Sequence, residues 1–144
     1  KEYGYDFKGN VNYIRDYAIA TPPRTRHNDP TVIILWGYNQ AYPIARIENG
    51  ASGLQPSQIA DLQAISDTRP EAELIAALDA LRASFPNAMV TTYTHKPLVG
   101  ISTMADPKGN RMTYVYDTFN RLKEVRDKDN KILSENQYHY RTQN

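Results

Sequence analysis

Apolar and polar residues alternate along this chain with two different periods, and the change of period divides it. Residues 2–17 alternate with a period of two and read as a hairpin. Tyr3, Tyr5 and Phe7 fall on one face, Lys8-Gly9-Asn10 makes the turn, and Val11, Tyr13 and Tyr17 share a face on the return. Pro22, Pro23 and Pro30 then block both helix and central strand, so this stretch reads as a loop. The run Thr31-Val32-Ile33-Ile34-Leu35-Trp36 predicts a strand buried on both faces. Residues 37–41 turn the chain and residues 42–47 return it, with Pro43 marking an edge or a strand beginning.

After a turn at residues 48–53 the period becomes helical. Ile59, Leu62 and Ile65 recur three apart, with Pro56 and Ser57 suited to a first turn. A second helix opens at Arg69-Pro70-Glu71, places Leu74, Ile75, Leu78 and Leu81 on one side, and stops at Pro86-Asn87. Two such helices each carry one apolar stripe and need a sheet to cover. From Ala88 the period returns to two and predicts strands at 89–94, 98–104, 111–117, 122–126 and 132–140, with turns at His95-Lys96-Pro97 and at 106–110, 117–120 and 127–131. The fold class implied is mainly β (α+β), an antiparallel hairpin meander with a two-helix insertion. Its three parts are 1–53 (a first hairpin and a Trp36-containing hairpin), 54–87 (the helices) and 88–144 (the meander).

The meander nearly repeats itself. Asp106-x-x-Gly109 recurs as Asp127-x-x-Asn130, and Tyr114-x-Tyr116 recurs as Tyr138-x-Tyr140. This pattern resembles the YD repeats of the RHS family, whose unit reads roughly Tyr-x-Tyr-Asp-x-x-Gly-Arg-Leu followed by Asp-x-x-Gly. Tyr114, Tyr116, Asp117, Arg121 and Leu122 match the unit, and Asn120 and Asn130 stand where the family has glycine. Asn tolerates the left-handed backbone better than other side chains do. A further copy is visible at Tyr3-Gly4-Tyr5-Asp6-Phe7-Lys8-Gly9, and Arg141 replaces the aspartate where the repetition decays. Trp36-Gly37-Tyr38-Asn39 with Tyr42-Pro43-Ile44 also looks like a segment of RHS-type proteins from Bacteroidetes. The resemblance implies a strip of a hollow β-shell at or outside the cell surface, whose partners are upstream repeats of the same polypeptide. The start at Lys1, already in repeat-like sequence, points to a piece of something longer.

Composition narrows the chemistry. The chain has 144 residues with 40% hydrophobic content, and its aromatic weight lies in 11 Tyr against 3 Phe and 1 Trp. Tyrosine suits a half-wet sheet face, its ring packed and its hydroxyl hydrated. With 17 basic and 16 acidic residues the net charge is +1, which gives no footprint for nucleic acid. There is no cysteine, so disulfides, thiolate metal sites and cysteine nucleophiles are excluded. No apolar run approaches the ~18–20 residues of a membrane span.

His27, His95 and His139 are scattered without metal-ligand spacing, so neither a metal nor a cofactor is expected. Glu71, Glu73 and Asp67 lie around the start of the second helix, where negative charge suits the helix dipole. Asp106-Pro107-x-Gly109 is similar to the aspartate self-cleavage element of RHS proteins that enclose a toxin. Asn110-Arg111-Met112 departs from that element, so Asp106 is read as a turn residue. No catalytic residue is therefore assigned.

The expectation is a non-enzymatic structural segment of an exported or cell-surface scaffold. The alternative is a carbohydrate- or protein-binding module that uses Trp36, Tyr114, Tyr116, Tyr138 and Tyr140 as a stacking platform, and a terminal effector domain is disfavoured. Unpaired strands at both ends predict self-association by edge pairing.

Overall fold

The computed structural model describes residues 1–15, 32–50 and 53–138. Tyr17, the proline-rich stretch with His27, and His139, Tyr140 and Arg141 lie outside the described residues. Nine strands form one antiparallel sheet whose spatial order is the chain order. They are β1 (Glu2–Tyr5), β2 (Val11–Arg15), β3 (Val32–Gly37), β4 (Tyr42–Glu48), β5 (Met89–Lys96), β6 (Gly100–Ala105), β7 (Arg111–Tyr116), β8 (Leu122–Arg126) and β9 (Ile132–Glu135). Two helices, α1 (Pro56–Thr68) and α2 (Glu71–Ser84), lie in the chain between β4 and β5. Because β4 still pairs with β5, the helices do not interrupt the sheet but fold back over one face of it. The mainly β meander with a helical insertion is thus the observed architecture.

The helices begin and end for local reasons. Pro56 occupies the first turn of α1, and the Gln58 side chain accepts the Gln55 backbone N–H at 2.9 Å. Arg69 precedes Pro70 and Phe85 precedes Pro86, and a residue before proline is pushed out of helical geometry. Glu71 and Glu73 sit in the first turn of α2 and Arg82 in its last, each complementing the dipole. In α2, Leu74, Leu78 and Leu81 form the buried stripe; in α1 the buried positions are Leu62 and Ser66. These leucines pack on Leu35, Ile44, Ala45, Ile47 and Val90 of β3, β4 and β5.

Register explains which face this is. Leu35, Ala45, Thr92, Ala105 and Arg111 are cross-strand neighbours in one row, as are Thr94, Thr103, Thr113 and Arg126. The covered face therefore runs from apolar under the helices to polar toward β7 and β8. There Arg111 holds both oxygens of Asp79, at 2.8 and 3.0 Å, and Arg82 reaches Thr92 Oγ1 at 2.7 Å. These bonds tie α2 to β5 and β7. On the opposite face the row Tyr93, Met104, Met112 stays half-buried.

Three expectations need correction. The strand β3 is not buried on both faces throughout: Val32 and Leu35 are buried, Ile33 only borders the core under the helices, and Ile34 and Trp36 on the opposite face keep partial exposure. The turn expected at His95-Lys96-Pro97 lies later. A register shift after Thr94 lets β5 continue through His95 to Lys96, and Val99 N–H closes the turn on the Lys96 carbonyl at 3.0 Å. Finally, Phe7 does not share a sheet face with Tyr3 and Tyr5, since it belongs to the turn and is 84% exposed.

Candidate functional site

The feature the sheet reuses is a turn. Hairpins β1–β2, β6–β7, β7–β8 and β8–β9 each close through an aspartate: Asp6, Asp106, Asp117 and Asp127. In every copy the aspartate N–H donates to the carbonyl four residues on, and its own carbonyl accepts the N–H three residues on, at 2.8 to 3.0 Å. The residue three positions after the aspartate is left-handed in all four: Gly9 (φ 84), Gly109 (φ 83), Asn120 (φ 58) and Asn130 (φ 64). This is a tight turn followed by a left-handed bulge residue, a three-residue hairpin connection.

The side chain explains why the first residue is aspartate. Its Oδ1 accepts two backbone N–H groups, from Lys8 and Asn10, Lys108 and Asn110, Phe119 and Arg121, and Asp129 and Lys131, at 2.8 to 3.0 Å. In three copies Oδ2 takes a side-chain donor as well: Asn10 Nδ2 at 3.0 Å, Asn110 Nδ2 at 3.1 Å and Arg121 Nε at 2.8 Å. The repeat residues Asp117, Asn120 and Arg121 are thus the parts of one closed turn. Desolvation pushes the carboxyls of Asp6, Asp106 and Asp117 upward, but the hydrogen bonds together outweigh it and hold all three below the ordinary carboxylate range. Asp106, the residue that invited comparison with a self-cleaving element, spends its oxygens inside this turn.

The tyrosines of the repeat build the sheet. Tyr116 donates its hydroxyl to the Ile101 carbonyl at 2.8 Å and lies over Gly100, where an added Cβ would stand 2.3 Å from that hydroxyl. Burial raises the Tyr116 phenol above its usual value, with the neighbouring Tyr114 adding to the effect. Leu122 sits opposite Tyr116, and Tyr114 opposite Val125. At the first copy Tyr3 and Tyr5 are 48% and 61% exposed on the edge strand. Gly4 beside them is covered by the ring of Tyr13, which an added Cβ would meet at 2.0 Å.

Among the described residues, the aromatics expected to form a platform do not all come together, because Trp36 stands apart from the tyrosines. Trp36 is on β3 and Tyr114 and Tyr116 are on β7, four strand spacings or about 19 Å apart. The Trp36 indole N–H donates to the Val11 carbonyl at 2.8 Å. Tyr138 donates to the Leu122 carbonyl at 2.7 Å and carries the Arg121 guanidinium 4.1 Å over its ring.

One cluster was not visible in the sequence. Tyr38, Tyr42 and His95 meet at the end of β3, β4 and β5: Tyr42 stacks on His95 at 4.9 Å, and Tyr38 stands edge-on to both. The Tyr38 hydroxyl accepts the His95 backbone N–H at 2.9 Å. His95 Nε2 lies 2.7 Å from the Pro43 carbonyl, which only accepts, so Nε2 bears the proton and Nδ1 is left as an acceptor. Burial lowers the His95 pKa and the bond to Pro43 opposes it, so the ring is held neutral. Burial likewise raises the Tyr38 phenol.

The cluster rests on three consecutive left-handed residues, Tyr38, Asn39 and Gln40 (φ 53, 55 and 61). That is a costly conformation. The end of α1 secures it, with Ser66 Oγ accepting Tyr38 N–H at 2.9 Å and Asp67 Oδ1 accepting Asn39 N–H at 2.6 Å. Gly37 must lack a side chain here, since a Cβ would stand 2.4 Å from Ser66 Oγ. Asp67 lies not at the start of α2 but in the last turn of α1, where its charge does not complement the dipole and its carboxylate serves Asn39 instead; Glu71, in the first turn of α2, also accepts the Thr94 hydroxyl.

Among the described residues no group of three or more His, Cys, Asp or Glu could hold a metal ion, and no helix is long and apolar enough to cross a membrane. Comparison with protein-family models, with curated proteins and with solved structures gave no match for this chain.

Proposed function

We propose that this chain is a non-enzymatic structural segment of an exported or cell-surface repeat scaffold of the RHS/YD kind. The observation that carries the reading is the reuse of one aspartate-closed turn in four hairpins of a single sheet. A catalytic site needs one arrangement once, whereas a wall needs the same corner at every strand. The sheet is open, and its two outer strands suit continuation. All four residues of β9 are exposed, with Ile132 at 47% and Leu133 at 55%, and β1 presents Tyr3 and Tyr5. Such edges are pairing sites unless they are covered or charged.

In the scaffold, neighbouring repeats of the same polypeptide take these edges. In the isolated chain a second copy takes them. Light scattering across a dilution series tests this. A dimer that dissociates on dilution, and that Leu133→Lys abolishes, is expected; a monomer at every concentration contradicts the reading.

A further inference from the structure

One turn closes four hairpins, but β3–β4 and β5–β6 do without it, and both replacements are strained. Tyr38, Asn39 and Gln40 are all left-handed in the first. In the second, Val99 N–H returns to the Lys96 carbonyl around Pro97 and Leu98, and Leu98 takes φ 63 where such a turn favours glycine or asparagine. Leu98 gains no packing in return, being 97% exposed. Backbone strain of this kind gathers at ligand sites. Between the two turns and the helices lies an open cavity of about 340 Å³, at the lower end of the ~300–1,000 Å³ of small-molecule pockets.

Its lining holds charges of both signs, Arg69 and Lys96 with Glu71, beside Tyr38, His95 and Ser102. All three charged residues are exposed. Arg69 reaches Glu73 at 3.8 Å and Lys96 reaches Asn120 Oδ1 at 3.4 Å, both long contacts. Among the described residues neither cation pairs with Glu71. Glu71 Oε1 accepts the Thr94 hydroxyl, which leaves Oε2 for another donor. The register shift beside Thr94 pairs His95 with Ile101 and leaves Ser102 without a cross-strand partner, and a bulge of this kind re-aims a side chain. Among the described residues the buried polar side-chain atoms that lack a partner are Asn12 Oδ1, Arg15 Nε and Gln40 Oε1. His95 Nδ1 and Ser102 Oγ also lack one, and are therefore open to solvent.

These groups select a ligand by its charges. A simple anion would satisfy Arg69 and Lys96 but leave Glu71 facing a like charge, and a simple amine would do the reverse. An ammonium group brings three N–H donors, enough for Glu71 Oε2, His95 Nδ1 and Ser102 Oγ together. A carboxylate on the same molecule takes charge-assisted bonds from the two cations.

We infer that this cavity binds a free α-amino acid, its carboxylate taken by Arg69 and Lys96 and its ammonium by Glu71 and His95 Nδ1. The site goes beyond the scaffold role and does not depend on it, because it lies at the hairpin turns beside the helices and not on β1 or β9.

The 144-residue chain is titrated with L-alanine, L-leucine and L-phenylalanine. Beside each runs the same molecule without its amino group (propionate, isocaproate, hydrocinnamate) and without its carboxyl group (ethylamine, isoamylamine, phenethylamine). The nitrogen-15 shift of His95 Nδ1 in the unmodified chain is the readout, and it needs no variant to fold. Saturation by at least one amino acid, with a Kd of about 1 mM, is expected. Its acid and amine partners should bind at least tenfold more weakly. Glu71→Gln keeps an acceptor for Thr94 and removes the charge, and should bring that amino acid and its acid partner within threefold of each other. Arg69→Gln combined with Lys96→Gln should do the same for the amino acid and its amine partner. A merely structural role would leave both ratios unmoved. No saturable shift with any of the three amino acids overturns the inference. An acid or amine partner that binds as tightly in the unmodified chain overturns it too, as does a tenfold preference that survives either variant.

Discussion

Replacing Gly109 by alanine isolates the backbone requirement of the repeated turn. Gly109 has φ +83, and an added Cβ would meet nothing within 4 Å, so no steric collision enters. The cost is the left-handed conformation itself, about 1–2 kcal/mol for a residue with a Cβ. Against this, alanine restricts the unfolded chain more than glycine does, which returns about 0.4–1 kcal/mol. The difference is about 1 kcal/mol of net destabilisation, or about 3–4 °C in Tm for a domain of this size. If the four turns are one structure, Asn120→Ala should cost a similar amount, because Asn120 at φ 58 occupies the same position. Asn120→Gly should be nearly neutral, relief of the backbone being offset by a looser unfolded chain. Thermal unfolding followed by circular dichroism measures all three. An unchanged or raised Tm in Gly109→Ala would show that this position does not carry the turn. A loss in Gly109→Ala without one in Asn120→Ala would show that the two turns differ.

Other outcomes follow from the packing and the charges. Leu78→Ala empties a position 1% exposed between α2 and the sheet, and should lower unfolding stability by about 2–5 kcal/mol in denaturant titration. Asp6, Asp106 and Asp117 have folded-state pKa values below their unfolded ones, so their contribution is complete above the unfolded carboxylate range of about 4 and is lost as pH falls through the folded values. A carbon-13 carboxyl titration should show all three protonating below the ordinary aspartate value of about 4. His95 is also depressed, so its neutral ring stabilises the fold above the unfolded value of about 6.5, and stability declines as pH drops below it. Replacing His95 by glutamine should flatten that part of the pH–stability profile, as read by the urea midpoint at stepped pH.

The legible parts of this fold were those set by local chemistry. Asp106, Gly109 and Asn110 announce a turn because one side chain can satisfy two backbone donors within four residues, and the same pattern found the hairpins at Asp6, Asp117 and Asp127. The stripe Leu74, Leu78, Leu81 announced a helix that needed a sheet beneath it. What escaped depends on partners far along the chain. His95 meets Tyr38, 57 positions earlier, through a register shift that periodicity does not encode. Residues 37–41 read as a turn, but its run of left-handed residues Tyr38, Asn39 and Gln40 is held by Ser66 and Asp67, which arrive from α1 to accept the Tyr38 and Asn39 N–H groups. Trp36 read as a member of an aromatic platform because its composition suits one. Its placement instead follows from the parting of β2 and β3, which leaves the Val11 carbonyl for its indole.

The claim at the centre of this account is that β1 and β9 are joints, strands made to be continued by their neighbours. Amide hydrogen exchange of residues 2–5 and 132–135, compared between a dilute solution of the 144-residue chain and a longer polypeptide in which further copies of the β6–β9 hairpins are fused at both ends, tests it directly. The account predicts fast exchange at the outward-facing amides of at least one of these strands in the dilute chain, slowed at least a hundredfold in the longer polypeptide. Equal exchange rates in both would contradict it.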